Sequence, residues 1–312
     1  MKRSKKTKKY LFNKVLIIGI GLIGSSIALS LKKNGIARNI VGFSKTEKTR
    51  KIAKKKRIVD ETINRISNRI SEMDLIIICS PLSTYEKIFN LIDPHLSKKT
   101  IVTDVGSAKS RIVKNFHLSK DRVFDFIPAH PIAGTEQSGP NAGFHELFID
   151  RWCIITPIPG NKKRNINTVK KMWKSMGSNI EIMTPERHDQ TMAITSHLPH
   201  LIAYNIVSTA ADIENVTKSD VIKYSASGFR DFTRIAASDP TMWRDVLLSN
   251  KDSLLEVISR FSEDLSMLQK AIRWEDGETL YKLFSKTRKI RNKIIDAGQD
   301  VSVPDFGRSK KK

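Results

Sequence analysis

Apolar residues in the first half of this chain come in short unbroken runs, and in the second half they recur at helical spacing. The run Lys14 to Gly19 (KVLIIG) shows no polar alternation and stops at a glycine, the pattern of a parallel strand covered on both faces. Leu22 to Asn34 follows with helical spacing and ends at Asn34-Gly35, a helix stop signal. Further strand candidates are Asn39 to Phe43, Asp74 to Cys79, Thr100 to Asp104, Phe124 to Pro128 and Trp152 to Thr156, most of them separated by helical stretches. That alternation predicts an α/β fold with a doubly wound, mostly parallel sheet. After a last strand candidate at Ile180 to Met183, only helix-like segments follow from Pro185 to Gly298, which places a seam near Thr184.

The hexapeptide Gly19-Ile20-Gly21-Leu22-Ile23-Gly24 fits G-x-G-x-x-G at the point where a strand ends and a helix opens, the context in which that motif carries weight. The first glycine permits the tight turn, the second lets the backbone approach a pyrophosphate, and the third lets helix and strand pack closely. Gly19, Gly21, Leu22, Ile23 and Gly24 are therefore the expected contacts of a dinucleotide, whose phosphates meet free N–H groups at the helix start. An NAD-preferring site carries Asp or Glu at the end of the second strand. Here Gly42-Phe43-Ser44-Lys45-Thr46 offers Ser44 and Lys45, with Lys48 and Arg50 nearby. The expected cofactor is NAD(P)+, with an electrostatic lean toward NADP or dual use.

These signals divide the chain into a Rossmann-type nucleotide-binding domain over 14–184 and an all-helical dimerisation domain over 185–300. Basic tails at 1–13 and 301–312 contain too few apolar residues to join a core. The candidate helices Leu198 to Ala211 and Leu247 to Ile272 have apolar faces wider than one small bundle covers, so a homodimer built through this half is expected.

Composition narrows the function classes. A length of 312 residues accommodates two domains, and 39% hydrophobic with 28% charged residues lies far from a disordered chain. No apolar run approaches the ~18 residues of a membrane span and no secretory signal opens the sequence, so the expected compartment is the cytoplasm. Cys79 and Cys153 sit in apolar stretches, as reduced buried thiols do. The excess of 55 Lys and Arg over 32 Asp and Glu gives a net charge of +23. Part of it lies in the tails, and the rest is scattered without interleaved aromatics, which suits an anionic small molecule better than a nucleic acid.

The remaining motifs come in a fixed order. Asp104-Val105-Gly106-Ser107-Ala108-Lys109 and His130-Pro131-Ile132-Ala133-Gly134-Thr135-Glu136 each follow a strand candidate, at the edge of the sheet where a cofactor binds. Glu186-Arg187-His188-Asp189 and Ser196-His197-Leu198-Pro199-His200 come next. Gly228-Phe229-Arg230-Asp231-Phe232-Thr233-Arg234-Ile235-Ala236 and Asp239-Pro240-Thr241-Met242-Trp243 complete the series. Together, over Val15 to Gln299, these strings resemble the prephenate and arogenate (cyclohexadienyl) dehydrogenase family.

The resemblance implies an NAD(P)-dependent oxidative decarboxylation of a small dianionic substrate on the way to tyrosine. A hydride leaves ring C4, the C4 hydroxyl loses its proton, and the ring carboxylate departs as carbon dioxide. It implies that His130 is the base, a role suited to an imidazole, and that Ser107 is its neighbour at the hydroxyl. Arg234 would bind the ring carboxylate, with Arg230 a secondary or rim contact; either arginine has the alternative of capping a helix or pairing with Asp231. His200 would contact the keto or amino acid arm of the substrate, and His188 would support the pocket. Glu136 would close the cleft by pairing with a basic residue, and Trp243 would wall the pocket or serve as a buried structural residue.

His188, His197 and His200 also raise a zinc reading, but no H-E-x-x-H or cysteine cluster accompanies them and no metal is expected. A dehydrogenase of the 3-hydroxyacid or 6-phosphogluconate type would need a catalytic lysine motif in the helical half, and none is visible. A nucleotide-sensing regulator that holds DNA with its basic tails is the alternative from another class.

Overall fold

The computed structural model describes residues 10–118, 122–218, 220 and 222–296. Most of the expected basic tails, 1–9 and 301–312, lies outside them. The chain forms two compact units, 1–254 and 255–312. The first unit therefore extends well beyond the change of pattern at Thr184.

Strand β1 (Phe12–Ile18) starts two residues before the expected Lys14, because Phe12 is buried and the Leu11 and Phe12 N–H groups both reach the Ile36 carbonyl. It leads into α1 (Leu22–Lys33), β2 (Ala37–Phe43), α2 (Glu47–Lys55), β3 (Glu61–Ile63) and β4 (Leu75–Ile78). Next come α3 (Tyr85–Ile92), β5 (Ile101–Asp104), α4 (Ser110–Leu118) and β6 (Asp125–Ile127). These strands form a parallel six-stranded sheet in the order β3-β2-β1-β4-β5-β6. The unbroken apolar runs follow from burial on both sides. Val15, Ile17, Leu75 and Ile77 join one core cluster, whereas Leu16, Ile18, Ile76 and Ile78 join the other.

The single sheet expected from the pattern is in fact two. Strands β7 (Ala129–Pro131), β8 (Trp152–Ile155) and β9 (Asn179–Ile182) form a second sheet in that order, and α5 (Lys163–Ser175) lies between β8 and β9 in sequence. The segment expected as one strand, Phe124 to Pro128, ends its pairing with β5 at Ile127. Pro128 has no N–H to continue a ladder, and its carbonyl accepts instead from Thr156 N–H. The chain thereby leaves the first sheet and pairs β7 antiparallel with β8. The three-residue edge strand β3 carries too short a pattern to be read from sequence.

The later elements are helical: α6 (Pro185–Met192), a π turn (Ala193–His197), α7 (Leu198–Thr217), α8 (Ser227–Thr233), a 3-10 turn (Arg234–Ala237) and α9 (Pro240–Ser249). Their starts are written in the sequence. Thr184 caps α6 by accepting from Arg187 N–H, and Asp239 caps α9 by accepting from Met242 N–H. The helix expected over Leu247 to Ile272 is broken at Asn250, between α9 and α10 (Lys251–Arg273), because the Asn250 amide is drawn into the interior. The second unit comprises the rest of α10 and α11 (Gly277–Asp296), with Trp274 72% and Tyr281 74% exposed. No helix among the described residues is long and apolar enough to cross a membrane.

A Cβ at Gly24 would lie 2.0 Å from the Gly19 carbonyl oxygen, whereas one at Gly21 would meet nothing within 4 Å. Gly24→Ala is expected to cost about 1–3 kcal/mol, read as a lowered Tm, while Gly21→Ala leaves Tm unchanged. Equal Tm values for the two variants would contradict this packing.

Candidate active site

The turn between β1 and α1 is shaped for a dinucleotide. Gly19 has φ of 101° and a Cβ there would lie 2.5 Å from the Cys79 carbonyl oxygen, so only glycine fits the turn. Gly21 faces open space, and α1 begins at Leu22 and Ile23 with no side-chain cap and no acidic residue in its first turn. A pyrophosphate fits these uncapped N–H groups. At the end of β2, Ser44 is half-buried and Lys45 exposed. Arg50 donates to the carbonyls of both, at 2.6 and 2.8 Å, and the next carboxylate, Glu47, is paired with Lys51.

His130 lies on β7, buried, and its Nδ1 is 2.8 Å from Nε2 of His188 on α6. The Nδ1 of His188 is 2.8 Å from Asp189 Oδ1. An ionised carboxylate only accepts, so His188 Nδ1–H donates to Asp189, His188 Nε2 accepts from His130 Nδ1–H, and His130 is left with a lone pair on Nε2. Asp189 also accepts the N–H groups of Lys109 and Ser110, both at 2.8 Å, and so serves as an acidic cap at the start of α4. Burial would raise the Asp189 carboxyl, but the His188 ring and these N–H groups outweigh it and hold it below the usual range. Burial pushes both imidazoles down, His130 well below its ordinary value. The neighbouring His188, Lys109 and His197 add to the effect on His130, while the Asp189 bond only partly opposes it on His188.

A second group continues from the relay. The π turn places His197 in the interior just before Pro199, which has no N–H for a regular ladder. Asn250 donates to the Asp189 carbonyl at 2.7 Å and meets His197 Nδ1 at 3.1 Å. Burial, the first cause, brings His197 down to about 4. Its ring meets Trp243 edge-on at 6.2 Å, and Trp243 stacks on His200 at 3.6 Å. His200 Nδ1–H donates to the Ser196 carbonyl at 2.8 Å. Burial lowers His200, and the charge of Arg234 lowers it further. Arg234 pairs with Glu136 at 3.2 Å, the two side chains 49% and 39% exposed.

The residues singled out in the sequence thus converge unevenly. His130 and His188 touch, His200 and Trp243 touch, and Arg234 touches Glu136 rather than Asp231. Ser107 is half-buried on the loop after β5. Arg230 is exposed on α8. Asp189, Asn250, Asp104 and Lys109 were assigned no role from sequence. Three of them lie inside the motif strings, but nothing in their spacing shows that Asp189 reaches a helix start 79 residues away. Both cysteines are free thiols pushed up chiefly by burial.

Comparison with known proteins gives the family of the chain. Residues 27–182 match the family model of the prephenate dehydrogenase nucleotide-binding domain, and 184–286 match that of the prephenate dehydrogenase dimerization domain. The chain is 36% identical to the cyclohexadienyl dehydrogenase of Zymomonas mobilis, over 90% of this chain and 95% of that one. It is 32% identical to the prephenate dehydrogenase of Bacillus subtilis, over 94% and 78% respectively. The crystal structure of prephenate dehydrogenase from A. aeolicus with hydroxyphenyl propionate and NAD+ superposes with a TM-score of 0.85. Its identity is 34%, covering 93% of this chain and 100% of that one. Two models that between them run from residue 27 to 286, with a relative matched over nearly its whole length, place this chain in the prephenate dehydrogenase family.

Proposed function

We propose that this chain oxidises and decarboxylates prephenate, arogenate or both, with NAD(P)+ as acceptor, as a cytoplasmic step toward tyrosine. The observation that carries the reading is the hydrogen-bonded series His130, His188, Asp189. It fixes the tautomer in which Nε2 of His130 is free to take the proton of the C4 hydroxyl, and Ser107, on the loop after β5, takes the role of its neighbour at that hydroxyl. Burial keeps that imidazole neutral at working pH, as a base must be. NAD(P)+, when bound, would supply the acceptor for the hydride that leaves C4. Gly19, Gly21, Leu22, Ile23 and Gly24 would hold its pyrophosphate.

Arg234 supplies the fixed positive charge that a dianion requires, and a substrate carboxylate competes with Glu136 for its guanidinium. His200, backed by Trp243, faces the arm of the substrate, with Arg230 at the rim. Ser44 and Lys45, with the next carboxylate, Glu47, paired to Lys51, accommodate either a ribose hydroxyl or a 2′-phosphate, so dual use of NAD+ and NADP+ belongs to this reading. The division near Thr184 into a nucleotide-binding part and a helical part, and a homodimer formed through the latter, belong to it as well. Exposed apolar residues on α7, among them Val216 at 83%, and on α11 supply faces for a second copy.

A steady-state assay of both substrates against both cofactors tests the assignment, and turnover of neither substrate with either cofactor would sink it. His130→Asn is expected to lower kcat about 10²–10⁴-fold with little change in KM. Arg234→Gln is expected to raise KM about 10- to 100-fold with a smaller effect on kcat. Small and equal effects from the two variants would remove both residues from the chemistry.

A further inference from the structure

Lys109 lies in the loop that opens α4, and its side chain is wholly buried. Its ammonium pairs with Asp104, equally buried, at 2.6 Å and donates to the Ala129 carbonyl at 2.5 Å. The other Asp104 oxygen accepts the Ala129 N–H at 3.0 Å. Both polar groups of residue 129, immediately before His130, are thus gripped by this ion pair at the point where the chain passes from one sheet to the other. The backbone N–H of the same lysine holds Asp189, the far end of the relay.

We propose that Lys109 is a positioning residue for the base. Its ammonium fixes the strand that carries His130, its amide fixes the carboxylate that orients His188, and so one residue sets the spacing of the whole relay. The proposal rests on the reading of His130 as the base.

Stability does not require a charge at this position. A buried ion pair gains little over an apolar pair of the same volume, whereas removal of one partner strands the other. The pair provides fixed directions instead, holding a backbone that has left its ladder. A misplacement of about 1 Å at a reacting group can cost about 100-fold in rate.

The lysine also acts on the titration of the base. The groups facing His130 are His188 from α6, Lys109 from the loop before α4 and His197 from the π turn, and Asp189 and Asp104 act on His188. Lys109 opposes protonation of His130, so loss of its charge raises the base, and the acid limb of kcat/KM moves to higher pH. A brace that served stability alone would lower Tm and leave kcat and KM of the folded variant at their wild-type values.

The test uses the full-length enzyme with Lys109→Met, Asp104→Asn/Lys109→Met and His130→Asn, each checked for Tm and for cofactor binding by tryptophan fluorescence. The double variant leaves no unpaired charge in the interior and carries the test if Lys109→Met does not fold. In the folded variant, kcat is expected to fall about 10- to 100-fold, with KM little changed and the acid limb displaced upward. Wild-type kcat in the folded variant, wherever the limb lies, would overturn the proposal while leaving the base assignment intact. An acid limb that survives in His130→Asn would overturn the base assignment, and the positioning role with it.

Discussion

The architecture around this site depends on one crossing, the passage of the chain from the six-stranded to the three-stranded sheet between Ile127 and His130. A strand that leaves its ladder inside a protein must find partners for every peptide group it strips. Here Pro128 removes one donor, Thr156 takes the Pro128 carbonyl, and the buried Asp104–Lys109 pair takes both groups of Ala129. Asp104 stands at the end of β5, with its carboxylate also accepting from Gly106 N–H and the Tyr85 hydroxyl. The crossing is therefore anchored to the parallel sheet, and His130 inherits that rigidity.

Neutrality of the imidazoles is the second theme. Burial opposes charge on His130, His188, His197 and His200 alike, and on His188 and His197 the Asp189 carboxylate only partly offsets it. A neutral imidazole keeps one donor and one acceptor, so a series ending in a carboxylate has only one arrangement of protons. Asp189 supplies that end because two backbone N–H groups at the start of α4 and the His188 ring keep it ionised in the interior. Asn250 secures the same residue through its carbonyl and meets His197, which ties the break between α9 and α10 to the site.

The two ends of the site differ in kind. The relay is buried and fixed by polar partners, whereas Arg234 and Glu136 lie partly in solvent, where an ion pair is worth little and exchanges partners readily. The first environment suits the base proposed at His130, which must hold one tautomer, and the second suits the role proposed for Arg234, whose guanidinium must admit an incoming carboxylate.

By itself the sequence determined whatever depends on near neighbours in the chain. It specified the glycine turn with its strand and helix, the buried strands β1, β4 and β5, the change to helices after Ile182, and the identity of the residues that carry charge and imidazole. Tertiary structure alone decided that the strands form two sheets, that the helix expected over Leu247 to Ile272 breaks at Asn250, and that Arg234 meets Glu136 across 98 positions. It also decided that the Lys109 ammonium reaches the Ala129 carbonyl beside His130 while its amide N–H reaches Asp189. Periodicity reports which face of an element is buried, but a hydrogen bond between side chains far apart in sequence exists only once the core has fixed both backbones. The chemistry of this chain is therefore legible in its residue types, and its geometry only in the fold.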